Sequence, residues 1–90
     1  MNDINEIINS VIAEKTVLKE QVYELNDTVN LLEVGLDSFQ LMNVIVELEN
    51  RLDITFRDED LIVIKFQNLK QIYASIREVL SNYGKKTVSG

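Results

Sequence analysis

The sequence predicts an all-α domain, a bundle of three long helices and one short helix. Apolar residues recur at helical spacing in three separate stretches of the 90-residue chain. Polar clusters and glycines separate these stretches, as the breaks between helices usually do. A chain of this length forms one domain with a thin core.

The first helix is predicted near the N-terminus. Its apolar residues follow the i, i+3, i+4, i+7 spacing of one buried stripe: Ile4, Ile7, Ile8, Val11 and Ile12. Asn2 or Asp3 is placed to cap it. We expect this stripe to form one wall of the core.

Residues 15–34 allow two interpretations. Leu18, Val22 and Leu25 continue the first stripe, so one helix could run to about residue 25. The other interpretation is a long loop pinned by its apolar residues, although such loops are uncommon in compact domains. The polar residues between Asn26 and Asn30 mark a break in either case.

The central helix is predicted over Ser38–Leu52, after a turn at Gly35 that needs a positive φ. One stripe faces the core: Leu41, Val44, Ile45, Leu48 and Leu52. A second apolar strip lies on another face of the helix and comprises Phe39, Met42 and Val46. Met42 and Val46 could pack beneath the preceding loop or contact a partner protein.

Two further helices complete the bundle. Leu61–Phe66 fits a short helix or a short strand, and the acidic residues Asp58, Glu59 and Asp60 before it favour the helix. Asn68 is placed to cap the last helix, which Gly84 is expected to end. We expect one domain over residues 1–83 and a disordered tail over residues 84–90. The buried stripe of the last helix comprises Leu69, Ile72, Tyr73, Ile76, Val79 and Leu80.

Composition excludes several classes of function. The chain has neither Cys nor His, which excludes thiolate nucleophiles, Ser-His triads, disulfides and the usual zinc sites. A net charge of −6 argues against nucleic-acid binding. No apolar run reaches the roughly 20 residues of a membrane span, and the N-terminus lacks a signal-peptide pattern. We therefore expect a cytoplasmic protein that is not an enzyme, does not insert into membranes and holds no resident metal. We also expect it to be a monomer.

Ser38 is the residue most suited to carry chemistry. It follows Gly35 and Asp37 and stands where the central helix begins, so its hydroxyl should be exposed beside the free N–H groups of the first turn. Such a setting suits a phosphate ester. The simpler interpretation is that Asp37 or Ser38 merely caps the helix.

The segment Leu31-Leu32-Glu33-Val34-Gly35-Leu36-Asp37-Ser38-Phe39 resembles the phosphopantetheine attachment site of the acyl, aminoacyl and peptidyl carrier protein family. The first helix, the segment from Ile54 to Asp60, and Phe66-Gln67-Asn68-Leu69 are also similar to that family, in order. The resemblance covers roughly residues 3–82. It implies a right-handed acyl-carrier-protein-like bundle and favours the loop over the long helix for residues 15–34.

The resemblance also implies a cofactor and partners. A phosphopantetheinyl transferase would attach 4′-phosphopantetheine to Ser38, with Asp37 helping to hold magnesium at the interface. The terminal thiol of the arm would carry a thioester cargo. The implied partners are an acyl- or aminoacyl-loading ligase and downstream acyl-transfer enzymes.

Two departures from the family pattern narrow the function. Phe39 stands where the family usually has Leu. A Phe at this position is similar to the sites of D-alanyl carrier proteins and other free-standing aminoacyl carriers. Gln40, Asn43 and Asn50 stand where fatty-acid carriers are often acidic. We therefore expect a specialised carrier that docks more through the apolar strip than through salt bridges. The candidate partner surface comprises Phe39, Met42, Val46, Glu47, Glu49, Asp58 and Glu59.

Two other functions compete with the carrier. One is an unmodified, degenerate carrier fold that serves as a protein-interaction subunit. The other is a helical regulator or coiled-coil adaptor, which requires residues 4–25 to form one long helix.

Overall fold

The computed structural model describes the backbone of residues 4–89 and the side chains of residues 4–82. Every regular element in that part of the chain is helical, which confirms the predicted all-α class. The α-helices are α1 (Ile4–Lys15), α2 (Ser38–Leu52), α3 (Asp58–Val63) and α4 (Leu69–Ser89). Two 3₁₀ turns, Lys19–Glu24 and Leu31–Val34, lie between α1 and α2.

Helix α1 buries the stripe that its spacing predicts. Ile8, Val11 and Ile12 are fully buried, and Ile4 and Ile7 pack against the core from its edge. The helix ends at Lys15, whose charge suits the negative end of the helix dipole. The proposed cap at Asn2 or Asp3 lies outside the described residues.

The segment after α1 is a loop with two 3₁₀ turns rather than an extension of the helix. Thr16 ends the helix, since its buried hydroxyl donates to the Ile12 carbonyl at 2.8 Å and accepts from the Leu18 N–H at 3.2 Å. Leu18, Val22 and Leu31 then enter the core. The long-helix interpretation is therefore wrong, and the coiled-coil adaptor that required it is not supported.

Two backbone hydrogen bonds fasten this loop to the start of α4. The Leu31 N–H donates to the Gln67 carbonyl at 2.8 Å, and the Lys70 N–H donates to the Asp27 carbonyl at 2.9 Å. Asn30 caps the second 3₁₀ turn by accepting from the Leu32 N–H at 3.0 Å. Since loops of this length are otherwise mobile, these ties help to fix the chain that leads into α2.

Helix α2 has the predicted bounds and the predicted core face. Its buried side chains are Leu41, Val44, Ile45 and Leu48, and Leu52 packs against the core from its edge. It packs mainly on α1. The helix ends at Asp53, which adopts the left-handed conformation that Asp tolerates better than most residues.

The short element after α2 is a helix, as predicted, but it spans Asp58–Val63 rather than Leu61–Phe66, because the acidic residues form its first turn. Asp60 is buried and accepts from the Arg57 N–H at 3.0 Å, which fixes the start of α3. Asn68 caps α4, as predicted, by accepting from the Gln71 N–H at 2.8 Å. The stripe of α4 fills the remaining wall of the core with Leu69, Ile72, Ile76 and Val79, and Tyr73 and Leu80 lie at its edge.

The prediction that Gly84 ends the last helix is wrong, because α4 continues to Ser89. A glycine inside a helix costs about 1 kcal/mol relative to alanine, which weakens a helix without stopping it. Lys85 and Lys86 follow, and both favour helix in its last turns. The division into a domain over residues 1–83 and a tail stays a prediction.

Candidate functional site

The turn before α2 is shaped by Gly35 and Asp37. Gly35 has a φ of +103°, a conformation that L-residues with side chains rarely adopt. Asp37 is extended and caps α2, since its Oδ1 accepts from the Gln40 N–H at 2.9 Å. The glycine redirects the chain and the aspartate starts the helix, so the next residue is placed at the first helical position.

That residue is Ser38, and its side chain is exposed. The cap is Asp37 rather than Ser38, and the Ser38 hydroxyl has no hydrogen-bond partner among the described residues. The N–H groups of Ser38 and Phe39 belong to the first turn, where no intrahelical acceptor is available. A nucleophilic oxygen is thus presented to solvent beside two N–H donors and the positive end of a long helix, which together suit a phosphodiester.

The Asp37 carboxylate serves the cap through one oxygen only. Its Oδ1 is bonded to the Gln40 N–H, and Oδ2 has no partner among the described residues. The carboxylate is exposed. It could therefore keep the cap and contribute one oxygen ligand to a divalent cation, which prefers such hard donors. Asp37 is a single ligand, since the described residues contain no group of three or more acidic side chains placed to hold a metal ion.

Phe39, Met42 and Val46 form an exposed apolar strip on α2. Their exposed fractions are 74%, 46% and 53%, so Met42 and Val46 are not covered by the preceding loop. Spacings of three and four residues put neighbouring members on the same side of the helix. A surface helix that leaves such residues in water is typical of a protein-contact site.

The two carboxylates predicted for the partner surface on α2 make contacts within the domain. Glu47 pairs with Arg51 at 3.0 Å and with Lys15 at 3.8 Å. Its hydrogen bond with Arg51, assisted by the two positive charges, lowers the pKa of Glu47. Glu49 is half-buried and accepts from the Phe56 N–H at 2.7 Å. Both carboxylates thus hold α2 against its neighbours.

The acidic residues of α3 are divided between solvent and the fold. Asp58 is exposed, and Glu59 pairs with Arg57 at 2.7 Å. Asp60 is turned inward at the helix start. Asp58 and Glu59 therefore remain at the surface, the latter with a neighbouring cation.

An open groove beside Ser38 was not predicted from the sequence. Its volume is about 450 Å³. Its walls are the end of the loop, the start of α2 and the segment between α3 and α4. The hydrogen bond from Leu31 to Gln67 joins the loop to that last segment. Residues this distant in sequence give no local signal of a shared groove. Its lining comprises Asn30, Leu32, Ser38, Leu41, Met42, Phe66 and Gln67.

A family model described as "Phosphopantetheine attachment site" matches residues 11–76, which is most of the chain. The chain belongs to this family. The resemblance seen in the sequence is thereby confirmed, and the helical fold is consistent with the acyl carrier protein family. The likeness to D-alanyl carriers is not part of this finding. No curated protein and no solved structure gives a significant match to the chain.

Membership identifies the cofactor. Domains of the phosphopantetheine attachment site family carry 4′-phosphopantetheine covalently, and they typically carry groups rather than catalyse reactions. They interact in general with a phosphopantetheinyl transferase and with acyl-handling enzymes. The free hydroxyl of Ser38, its first-turn N–H donors and the adjoining groove fit such an arm. Within residues 4–89, no helix has both the length and the apolar character needed to cross a membrane.

Proposed function

We propose that this protein bears 4′-phosphopantetheine on Ser38 and shuttles an acyl or aminoacyl thioester between enzymes of a specialised biosynthetic pathway. The carrying observation is the exposed, unbonded hydroxyl of Ser38 at the start of α2, inside the residues that match the family. The chain has no Cys, so the only thiol available to hold a thioester would be that of the arm.

Ser38 supplies the nucleophile for the attachment. Its oxygen forms the new bond to phosphorus, while the diphosphate bond of coenzyme A breaks and the nucleotide leaves with the electron pair. A base of the transferase takes the hydroxyl proton, since the described residues offer the Ser38 oxygen no basic partner. The N–H groups of the first turn and the helix dipole then stabilise the phosphodiester that remains.

Asp37 would help to hold magnesium at the transferase interface. Oδ1 stays in the helix cap at 2.9 Å from the Gln40 nitrogen, so Oδ2 is the oxygen free to act as a ligand. A divalent cation there would offset the repulsion between this carboxylate and the diphosphate of coenzyme A. The remaining ligands would come from the diphosphate and the transferase.

The partner surface would centre on Phe39, Met42 and Val46. Glu47 and Glu49 border this strip on the same helix, and Asp58 and Glu59 would extend the surface onto α3. Glu47 and Glu49 already have partners within the domain. This supports docking that depends more on the apolar strip than on charge, with enzymes whose matching surface is apolar.

The test is a transferase reaction on the purified protein. It is incubated with coenzyme A, magnesium and a broad-specificity phosphopantetheinyl transferase, and its intact mass is measured. We expect one arm on the unaltered protein and none on Ser38→Ala. Ser81→Ala, which removes another exposed serine, should still be modified. Failure of the unaltered protein to gain mass would instead favour the unmodified interaction subunit, and a gain that survives Ser38→Ala would place the arm elsewhere.

A further inference from the structure

The side chain of Gln40 joins the two ends of the loop that precedes α2. Its Oε1 accepts from the Val17 N–H at 2.9 Å, and its Nε2 donates to the Gly35 carbonyl at 3.0 Å. Val17 follows the end of α1, and Gly35 lies three residues before Ser38. One amide thus uses both of its ends to fasten the beginning and the end of the same loop.

The backbone of Gln40 reaches the same turn from the other side. Its N–H is the group that the Asp37 Oδ1 caps at 2.9 Å. Gly35 and Asp37, the residues on either side of Leu36, are therefore both bonded to Gln40. Leu36 itself is buried, and its N–H donates to the Leu31 carbonyl at 3.2 Å.

Val17 adds a packing contact to this arrangement. A Cβ built on Gly35 would lie 3.3 Å from the Val17 Cγ2, so the Val17 side chain covers the glycine closely. Gly35 has a positive φ, and glycine loses more conformational freedom on folding than other residues, so such contacts help to hold it. Gln40 and Val17 therefore both contact the turn before Ser38, the first by hydrogen bonds and the second by packing.

We propose that Gln40 is a positioning residue for attachment of the phosphopantetheine arm, an inference that rests on the proposed function. By holding the Gly35 carbonyl and the Asp37 carboxylate, it fixes the exposed Asp37-Ser38 pair in one orientation toward the transferase. It touches no reacting atom and acts through the turn. A misplacement of reacting groups by about 1 Å can lower a rate by up to about a hundredfold. The hydrogen bonds of Gln40 should therefore affect the rate of arm attachment.

Two substitutions distinguish the hydrogen bond of the Gln40 Oε1 from that of its Nε2. Gln40→Met keeps the length of the side chain and removes both hydrogen bonds. Gln40→Glu keeps an acceptor for the Val17 N–H but has no donor for the Gly35 carbonyl, and its charge suits the first turn of a helix. Gln21→Met is the matched control, because Gln21 is exposed and its side chain has no hydrogen bond among the described residues.

The measurements are kcat and KM for arm attachment, with the carrier as the varied substrate, and hydrogen exchange at the Val17 amide. For Gln40→Met we expect kcat to fall about tenfold with little change in KM, because orientation within the bound complex is what is lost. Val17 exchange should rise by on the order of tenfold. For Gln40→Glu we expect a similar loss of kcat with Val17 still protected. The control should match the unaltered protein in all three quantities.

Several results would overturn this role. An unchanged kcat in Gln40→Met, with Val17 exchange raised, would show that attachment does not need the clamp. A rise in KM alone would make Gln40 a direct docking contact. Full activity of Gln40→Glu would mean that the bond to Gly35 positions nothing. If the unaltered protein itself accepts no arm, the proposed function fails and this inference fails with it, whereas the other results overturn the inference alone.

Discussion

At the scale of single residues, Asp37 and Ser38 have different roles: Asp37 caps α2, and Ser38 presents a free hydroxyl. Both are residue types that cap helices, so the sequence alone allowed Ser38 to be only a cap. The structure assigns the cap to Asp37 and leaves the Ser38 hydroxyl without a partner among the described residues. The remaining carboxylate oxygen of Asp37 then lies next to a free nucleophile.

Asp37 offers a test of its two tasks. Asp37→Asn keeps an acceptor for the Gln40 N–H and removes the charge that a magnesium ion requires. We expect it to change the free energy of unfolding by about 0.5 kcal/mol or less, since Asn and Asp cap helices almost equally well. The rate of arm attachment should fall at least tenfold.

Asp37→Ala completes the comparison because it removes both tasks. It should lower the free energy of unfolding by about 1 kcal/mol, the usual cost of a lost cap, and impair attachment to a similar degree. Urea unfolding and the transferase rate check the pair. Normal attachment to Asp37→Asn would contradict the role of the carboxylate in holding magnesium.

At the scale of elements, α2 faces the core with one side and solvent with an apolar strip. Phe39 is the most exposed member of that strip, at 74%. Its ring therefore contributes little to the packing of the domain, and burying it in a partner would release water from a large apolar surface. An aromatic side chain in this setting is a strong candidate for a binding hot spot.

Phe39→Ala should therefore weaken partner recognition far more than stability. We expect KM for the loading enzyme to rise about tenfold or more, while the melting temperature changes by no more than about 2 °C. Tyr23→Ala, which removes an exposed aromatic side chain from the first 3₁₀ turn, should leave KM unchanged. A large loss of thermal stability in Phe39→Ala would mean instead that the ring supports the fold.

Helices α1 and α4 are joined by a hydrogen bond that depends on pH. The Tyr73 hydroxyl donates to the Asn9 Oδ1 at 2.6 Å. Burial raises the pKa of Tyr73, and the negative charge of Asp27 raises it further. The folded state therefore favours the neutral phenol. The stability that follows is fully present below the ordinary tyrosine pKa, about 10, and is lost as pH rises through the raised value.

Tyr73→Phe should reveal this dependence. At pH 7 the variant should be about 1 kcal/mol less stable than the unaltered protein, because it lacks the bond to Asn9. The difference should shrink as pH rises above about 10, where the unfolded state of the unaltered protein ionises first. Urea unfolding across that range measures it. A difference that stays constant or grows would contradict the raised pKa.

At the scale of the whole molecule, the sequence predicted those element boundaries that depend on the residue at the boundary itself. Gly35, Asp37 and Asn68 mark element boundaries through their own backbone or side chain, and these boundaries are confirmed. The prediction that Gly84 ends α4 is wrong because a glycine weakens a helix without ending it. The free hydroxyl of Ser38 was accessible to sequence reasoning because the first turn of a helix exposes its side chains.

The remaining features arise between distant segments, and the sequence gives no local sign of them. Gln40 contacts Val17 across 23 residues, and the groove beside Ser38 joins the loop, α2 and the segment before α4. The pairing of Glu47 with Lys15 likewise requires α1 and α2 to be packed together. The sequence shows that these residues are present, but their spacing does not predict their contacts, which only the tertiary fold creates.

The central claim is that Ser38 carries a loaded arm, and it is tested most directly on the protein isolated from its own cell. Intact mass and fragmentation would be measured before and after hydroxylamine, which cleaves thioesters. We predict a phosphopantetheine arm on the peptide that contains Ser38, with part of the population carrying an additional acyl or aminoacyl mass that hydroxylamine removes. A Ser38 peptide found only in its unmodified form would contradict the claim and identify the domain as an unmodified interaction subunit.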